Sequence, residues 1–380
     1  MINYRLAEPR DMDGIIDFAN MVFSMLRVPH DFAQLLPKVY AEPHLQADIH
    51  LLAEEEGRLC GCLGMLVYPL RVAGETLRVG YLGTMAVHPR ARGRGTMGAL
   101  VDMQIERGRA MGLDMLLLGG QRQRYGRHGF EACGTTIGYT VTAANVRHAM
   151  AETDAQGIRF APMQPGDVPF AHALYEGQIV AGARTQDNFL AVVQSYRERP
   201  LAVTRQGEAL GYLVTSQDGQ RVTEIVMKDS DLILPAIKAY MQDSGIGTLR
   251  VDAAPQDGAL NGLLAPLCEH FAISPNCMLR MLRPERVIRA YMKLKAAAQP
   301  LADGHLTLSC GEAGAVDIAV RGGEITVRGT DAQPEFALSD RQAALLLFGC
   351  NPYAVPQAAR ERAPGGWFPL PFCIPEPDSF

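Results

Sequence analysis

Residues 2–7 read as a strand, and after Asp11 the apolar positions Ile15, Phe18, Ala19 and Val22 fall at helical spacing. Residues 27–50 scatter Pro29, Pro37 and Pro43 among apolar residues, which predicts short helices and loops. Residues 50–55 and 59–69 read as strands joined at Glu56-Gly57. The segment 72–77 turns at Ala73-Gly74-Glu75, and 79–87 is a further strand. A Gly/Arg loop follows His88-Pro89. A helix over about 95–111, closed by Gly112, then leads to a short buried strand at 114–118. An antiparallel run feeding one β-α-β unit predicts a mixed α/β class, α+β.

The pattern then repeats. Arg159-Phe160-Ala161 followed by Asp167 echoes Arg5-Leu6-Ala7 followed by Asp11. Strands at 201–205, 209–216 and 221–228, a helix at 232–242, a strand at 248–253, a helix at 260–271 and a strand at 277–282 follow in the same order. This order suggests an internal duplication. From 285 a helix to 298 precedes a three-strand meander at 306–310, 315–321 and 324–328, with Gly322-Gly323 as a hairpin turn. Ser339-x-x-Gln342 is a capping box for a helix through Phe348. The last thirty residues are rich in Pro and aromatics, as in Trp367-Phe368-Pro369-Leu370-Pro371-Phe372, and read as packed rather than disordered.

Composition narrows the function. A chain of 380 residues is long enough for two or three domains and needs no staples. The 36 Lys and Arg against 41 Asp and Glu give a net charge of −5, which disfavours a general nucleic-acid binder and allows a cationic substrate. No apolar run approaches the ~18 residues of a membrane span, and residues 1–9 lack the basic flank and apolar stretch of a secretory signal. The eight cysteines do not form a disulfide framework and read as reduced, in a cytoplasmic protein. No His/Cys/Asp cluster has metal-ligand spacing.

The sharpest signal is Met85-Ala86-Val87-His88-Pro89-Arg90-Ala91-Arg92-Gly93-Arg94-Gly95-Thr96-Met97-Gly98. An apolar strand enters a loop of Gly and Arg that starts a helix. Amides at a helix start lack intrahelical partners, and the helix dipole adds partial positive charge, so the place suits a phosphate or pyrophosphate. Gly93 and Gly95 allow close backbone approach, and Arg90, Arg92 and Arg94 supply charge. The competing reading is a tight turn with solvated arginines. No Lys-Ser/Thr follows the glycines, so this is not a Walker loop, and G-x-G-x-x-G fails after Gly95.

Arg90-x-x-Gly93-x-Gly95 after an apolar strand resembles the coenzyme A pyrophosphate loop of the GNAT superfamily of N-acetyltransferases, over residues 1–145. Gln123-Arg124-Tyr125-Gly126-Arg127-His128-Gly129-Phe130 and a terminal Phe380 further resemble the enhanced-intracellular-survival type of that superfamily. This resemblance implies a catalytic GNAT domain at 1–150, a degenerate GNAT-like domain at 151–284 and a sterol-carrier-like domain at 285–380 whose tail reaches the active site. It implies acetyl-CoA as cosubstrate, held by 85–87, Arg90, 92–98, Gly120 and Gln121. It also implies a small-molecule amine acceptor and a homo-oligomer, with hexamers among the relatives. The second unit has no Arg-x-x-Gly-x-Gly, so its cofactor site is expected to be absent.

Acetyl transfer to an amine needs loss of an ammonium proton, donors for an oxyanion and a proton for the leaving thiolate. The resemblance gives the last role to Tyr125, with amides around Val87 polarising the carbonyl. It points to the α-carboxylate of Phe380 as base. At a pKa of about 3.5 in water that group is weak for direct deprotonation, so it either acts through burial or a relay water, or only anchors the cationic amine. His88, His128 and Glu54 are rival bases. Glu376 and Asp378 could attract a cation or merely be solvated, and Arg122, Arg124 and Arg127 could reach phosphates or be exposed. The alternative function is a non-catalytic acyl-CoA or lipid-binding sensor or carrier.

Overall fold

The computed structural model describes residues 1–25, 28–351 and 354–380. Four strands, β1 (Ile2–Leu6), β2 (His50–Glu55), β3 (Arg58–Val72) and β4 (Glu75–Val87), form an antiparallel run. The segment read as separate strands at 72–77 and 79–87 is one continuous β4, because Leu77, Val79 and Tyr81 keep the same buried face across Arg78. Helix α1 (Met12–Ser24) buries Ile15, Phe18, Ala19 and Val22, as their spacing requires. Two single turns, α2 (Phe32–Leu35) and α3 (Pro37–Tyr40), carry the chain back to β2. Leu26 and Arg27, within the segment 27–50 and at its border, fall outside the described residues.

Helix α4 (Thr96–Ala110) crosses over to β5 (Met115–Leu118), which runs parallel to β4. That pairing extends only from Val79↔Met115 to Leu82↔Leu118. Beyond it, Gly83–Val87 continues without a parallel partner, so the two strands part and leave a cleft between their C-terminal ends. The turn α5 (Arg122–Tyr125) and the strand β6 (Glu131–Cys133) follow.

The chain next exchanges strands between its two halves. Strand β7 (Thr136–Thr142) leaves the first sheet and pairs in the second. After it come α6 (Ala143–His148), β8 (Ile158–Pro162), α7 (Val168–Glu176), β9 (Val180–Ala181), α8 (Phe189–Val193), β10 (Arg199–Arg205), β11 (Glu208–Thr215) and β12 (Arg221–Met227). The unit ends with α9 (Ile233–Ser244), β13 (Thr248–Ala253), α10 (Gly258–Leu264) and β14 (His270–Ser274). Strand β15 (Cys277–Met281) returns to the first sheet, between β5 and β6. The sheet orders are β1-β2-β3-β4-β5-β15-β6, with β9 on β3, and β14-β7-β13-β12-β11-β10-β8. Strands β8 and β10 to β13 repeat the order and directions of β1 to β5, with β12 and β13 as the parallel pair.

Strands 136–142 and 277–281 therefore lie on the opposite side of the boundaries expected at 150 and 284. The reason is burial. Every residue of β5 and of β15 is buried, so each covers the other's apolar edge. Gly134, with φ of +73°, turns the chain away after β6. The helix expected over 260–271 stops at Leu264, just before Pro266, whose ring cannot continue it, and residues 270–274 pair with β7 instead.

In the C-terminal third, α11 (Pro284–Ala298) precedes the meander β16 (Gly304–Ser309), β17 (Ala315–Arg321) and β18 (Glu324–Thr330). Helix α12 (Asp340–Phe348) has its Ser339/Gln342 capping box. Beyond it the tail is packed. Trp367 and Phe372 are fully buried, and Trp367 Nε1 donates to the Ala302 carbonyl at 2.8 Å. The Thr135 amide donates to Phe372 at 2.8 Å, and the Asn276 side chain brackets Ile374 at 2.8 and 3.0 Å. Among the described residues no helix is long and apolar enough to cross a membrane.

A fragment ending at residue 150 keeps β5 but loses β15. It is expected to show no cooperative thermal transition by circular dichroism, whereas the full chain melts cooperatively. A sharp transition in the fragment would show that the exchanged strand is dispensable.

Candidate active site

The site is built around an irregularity in β4. Cys62 faces Ala86 and Gly64 faces Gly83, so Thr84 and Met85 together oppose Leu63 alone. This is a β-bulge, and Thr84 sits at φ +52°, a conformation that costs a non-glycine residue energy. Gly64 and Gly83 lie opposite each other and leave a slot for the last residue of the chain. A Cβ on Gly64 would meet the Phe380 ring at 2.6 Å, and one on Gly83 would lie 2.5 Å from the Phe380 carboxyl carbon. Tyr40 stacks on the Phe380 ring at 6.2 Å between centroids, and His50 meets it edge-on at 6.5 Å.

His50, Tyr40 and Thr84 form a buried polar chain beneath that ring. The Tyr40 hydroxyl lies 2.8 Å from His50 Nε2 and 2.7 Å from Thr84 Oγ1. His50 Nδ1 lies 3.1 Å from the Ala47 carbonyl, an acceptor only, so it carries the proton. Burial pushes the His50 pKa down to about 4, which keeps the ring neutral at neutral pH.

The tail is locked before it reaches the slot. Asp378 accepts from Arg184 at 2.8 and 3.0 Å and from the Tyr175 hydroxyl at 3.1 Å. Arg184 also forms two bonds of 2.7 Å to Glu224. Burial opposes the Arg184 charge, but Asp378 and Glu224 outweigh it and raise the pKa. Glu376 pairs with Arg221. The acidic residues of the tail are therefore ion-paired, Asp378 in the interior and Glu376 at a half-exposed position. Lys38 donates to the carbonyls of Pro377 and Ser379, both at 2.5 Å.

On the other side of the cleft, Gly93 and Gly95 adopt φ of +73° and +81°, which only glycine takes readily. Gly95 is the N-cap of α4 and supplies no side-chain cap, so the amides of Thr96, Met97 and Gly98 keep their donors for a ligand. Gly120 leaves room for Tyr125, whose Cε2 would lie 2.4 Å from a Cβ there. The Tyr125 ring is half-buried and packs edge-on against Phe130 at 6.5 Å. Burial raises the Tyr125 pKa against the opposing charge of Arg124, so the phenol keeps its proton at neutral pH.

One cleft of about 840 Å³ is lined by Met85, Val87, Arg92, Gly93, Gly95, Thr96, Met97, Gly98, Gly120, Gln121, Tyr125 and Phe380, among others. Three expected cofactor residues do not line it. Arg94 turns to Glu55, with bonds of 2.6 and 2.8 Å. Arg90 is exposed, and the Ala86 side chain is buried in the core. The rival bases are engaged elsewhere: His88 Nδ1 accepts from the Arg90 amide, His128 faces Asp102 at 2.6 Å, and Glu54 holds Arg5. Arg122 and Arg341 both bind Glu131, while Arg124 and Arg127 line the cleft.

Sequence reasoning missed Lys38, Arg184, Tyr196 and the Gly64/Gly83 slot. Only the slot left a signal, two glycines inside apolar strands, which often mark a close approach of other atoms.

Burial lowers the Lys38 pKa from 10.5 to about 7, with Arg184 acting in the same direction and Asp378 against it. Between those values the unfolded chain binds one more proton than the folded one, so stability rises with pH across that window and the Lys38 term is flat below it. Lys38→Met is expected to reduce the slope of unfolding free energy between about pH 7 and 10, by up to ~1.4 kcal/mol per pH unit, in urea titrations. An unchanged slope would show that Lys38 is charged in the folded protein.

Residues 3–133 match the model of the acetyltransferase (GNAT) domain family. The uncharacterized N-acetyltransferase YjhQ of Escherichia coli K12 is 28% identical over 136 residues, covering 36% of this chain and 73% of that protein. Among solved structures, a GCN5-related N-acetyltransferase from Anabaena variabilis superposes with a TM-score of 0.70 at 14% identity, covering 100% of both chains. Eis1 from Mycobacterium abscessus superposes with a TM-score of 0.67 at 17% identity, again over 100% of both. The whole chain thus shares its fold with these proteins, and its residues 3–133 match a GNAT acetyltransferase domain, which supports an acetyltransferase.

Proposed function

We propose that the protein transfers an acetyl group from acetyl-CoA to the amino group of a small, cationic molecule, with both substrates bound in one ternary complex. The observation that carries this reading is that the Gly/Arg loop, Tyr125 and Phe380 line one cleft, although they lie far apart in sequence. The uncapped start of α4, the positive-φ glycines and Arg92, Arg124 and Arg127 fit the phosphates of a coenzyme A. A bound acyl-CoA would supply the activated acyl group as a thioester.

The residues divide the work. The bulge at Thr84 and Met85 interrupts the ladder where β4 parts from β5, beside the carbonyl-polarising amides assigned to the region of Val87. Tyr125, kept protonated by burial, gives its proton to the sulfur as the C–S bond breaks. The carboxylate of Phe380 orients the ammonium and takes its first proton, which frees the lone pair that forms the N–C bond, and the second proton, lost from nitrogen as the adduct collapses, restores the Tyr125 phenol. Water would place that carboxylate some six pKa units below an amine, so a relay water or burial would have to close the gap. In this reading the first unit holds the donor, the second wedges the tail, and the C-terminal unit delivers it.

Thiol release from acetyl-CoA across a panel of amines tests the assignment. Tyr125→Phe and a chain extended beyond Phe380 are each expected to lose about 10²-fold or more in kcat, with acetyl-CoA binding retained. Gly83→Ala, which displaces the carboxyl carbon, should behave like the extended chain. Full activity in all three would remove Tyr125 and the terminal carboxylate from the chemistry. Binding without any turnover would favour a sensor or carrier.

A further inference from the structure

The acceptor end of the cleft has a composition that limits what can enter it. Its wall is formed by Val22, Phe23, His30, Phe32, Leu36 and Tyr196. Phe23 lies 5.0 Å from Phe32 and 5.5 Å from His30 between ring centroids, and Phe32 lies 5.5 Å from Tyr40, so the rings form one connected patch. Among the described residues lining the whole cleft there is no Asp or Glu. The lining arginines, Arg92, Arg124 and Arg127, belong to the loop before α4 and to the segment around α5. Glu376 and Asp378, the acids nearest the tail's end, are neutralised by Arg221 and Arg184. Among the described residues, the carboxylate of Phe380 is thus the single anion facing the cleft.

One ammonium can be met by that carboxylate. A second or third would lie against apolar and aromatic side chains with no counter-ion, where an unpaired charge is disfavoured. An aryl or alkyl body, in contrast, would bury apolar surface and stack on the rings. We propose that the acceptor carries one amino group on an apolar, ring-bearing body, an arylalkyl monoamine rather than a di- or polyamine. This rests on the acetyl-transfer reading above. Tyr196 is a specificity residue within it. It reaches the cleft from the second unit and is held at φ +59°, a conformation that a non-glycine residue keeps only where its surroundings impose it.

The test compares 2-phenylethylamine, tyramine and hexylamine with putrescine, spermidine and kanamycin. Two readouts run on the full chain: thiol release from acetyl-CoA, and calorimetric binding of each amine with CoA present. The expected result is a kcat/KM at least about tenfold higher for the monoamines, with the two aryl compounds leading, and matching order in binding. Higher values for spermidine or kanamycin would overturn the proposal while leaving acetyl transfer intact. Selective binding of the aryl monoamines without turnover would retain the pocket's class and overturn the catalytic reading. Failure of the monoamines to bind would overturn the proposal outright. His30→Glu adds a counter-ion to the half-exposed wall and should shift the putrescine-to-phenylethylamine ratio about tenfold towards the diamine. An unchanged ratio would show that the wall does not select charge.

Discussion

Arg184 is buried with its charge intact, and the rest of the molecule is arranged around how that charge is met. Glu224 on β12 satisfies it from the second unit, and Asp378 satisfies it from the tail. The guanidinium also lies 3.9 Å above the Tyr175 ring. Removing either carboxylate would leave an under-compensated charge in the interior, a far larger loss than the pair itself contributes. The tail is therefore fixed two residues before its end. Its last residue falls into the Gly64/Gly83 slot, and the carboxylate arrives beside the bulge. The placement of the last residue depends on an ion pair in a different unit.

That arrangement explains the division of labour among the units. The first sheet supplies a cleft where β4 and β5 part, and the second repeats the same strand order without the Gly/Arg loop. The second unit supplies the lock for the tail, and its Tyr196 lines the cleft of the first. The repeated strand order thus gives a scaffold that shapes the cleft of the first unit.

Much of this was legible in the sequence because it is local. The Gly/Arg loop needs glycine at positive φ and amides at a helix start, and both are written into a dozen consecutive residues. The capping box at Ser339 and the apolar stripe of α1 are equally local. The fate of Arg94 was not legible. Nothing in the loop distinguishes it from Arg92, and only the position of Glu55 at the end of β2 draws it away. Arg184, Lys38 and Tyr196 were silent because their meaning depends on partners far along the chain. The exchange of β7 and β15 was silent for a related reason. Both segments read correctly as strands, but apolar alternation does not say which sheet a strand joins.

That exchange bears on how the protein is made. Strand β5 is fully buried, yet the strand that covers its edge follows the whole second unit in the chain. During synthesis the first sheet emerges with Met115–Leu118 open to solvent and stays so until the whole second unit has left the ribosome. An apolar, unpaired edge of that kind is a template for pairing with other chains. The nascent protein thus passes through a long interval in which it needs shelter, and slow elongation or a chaperone that masks strand edges would govern its yield more than the stability of the finished fold.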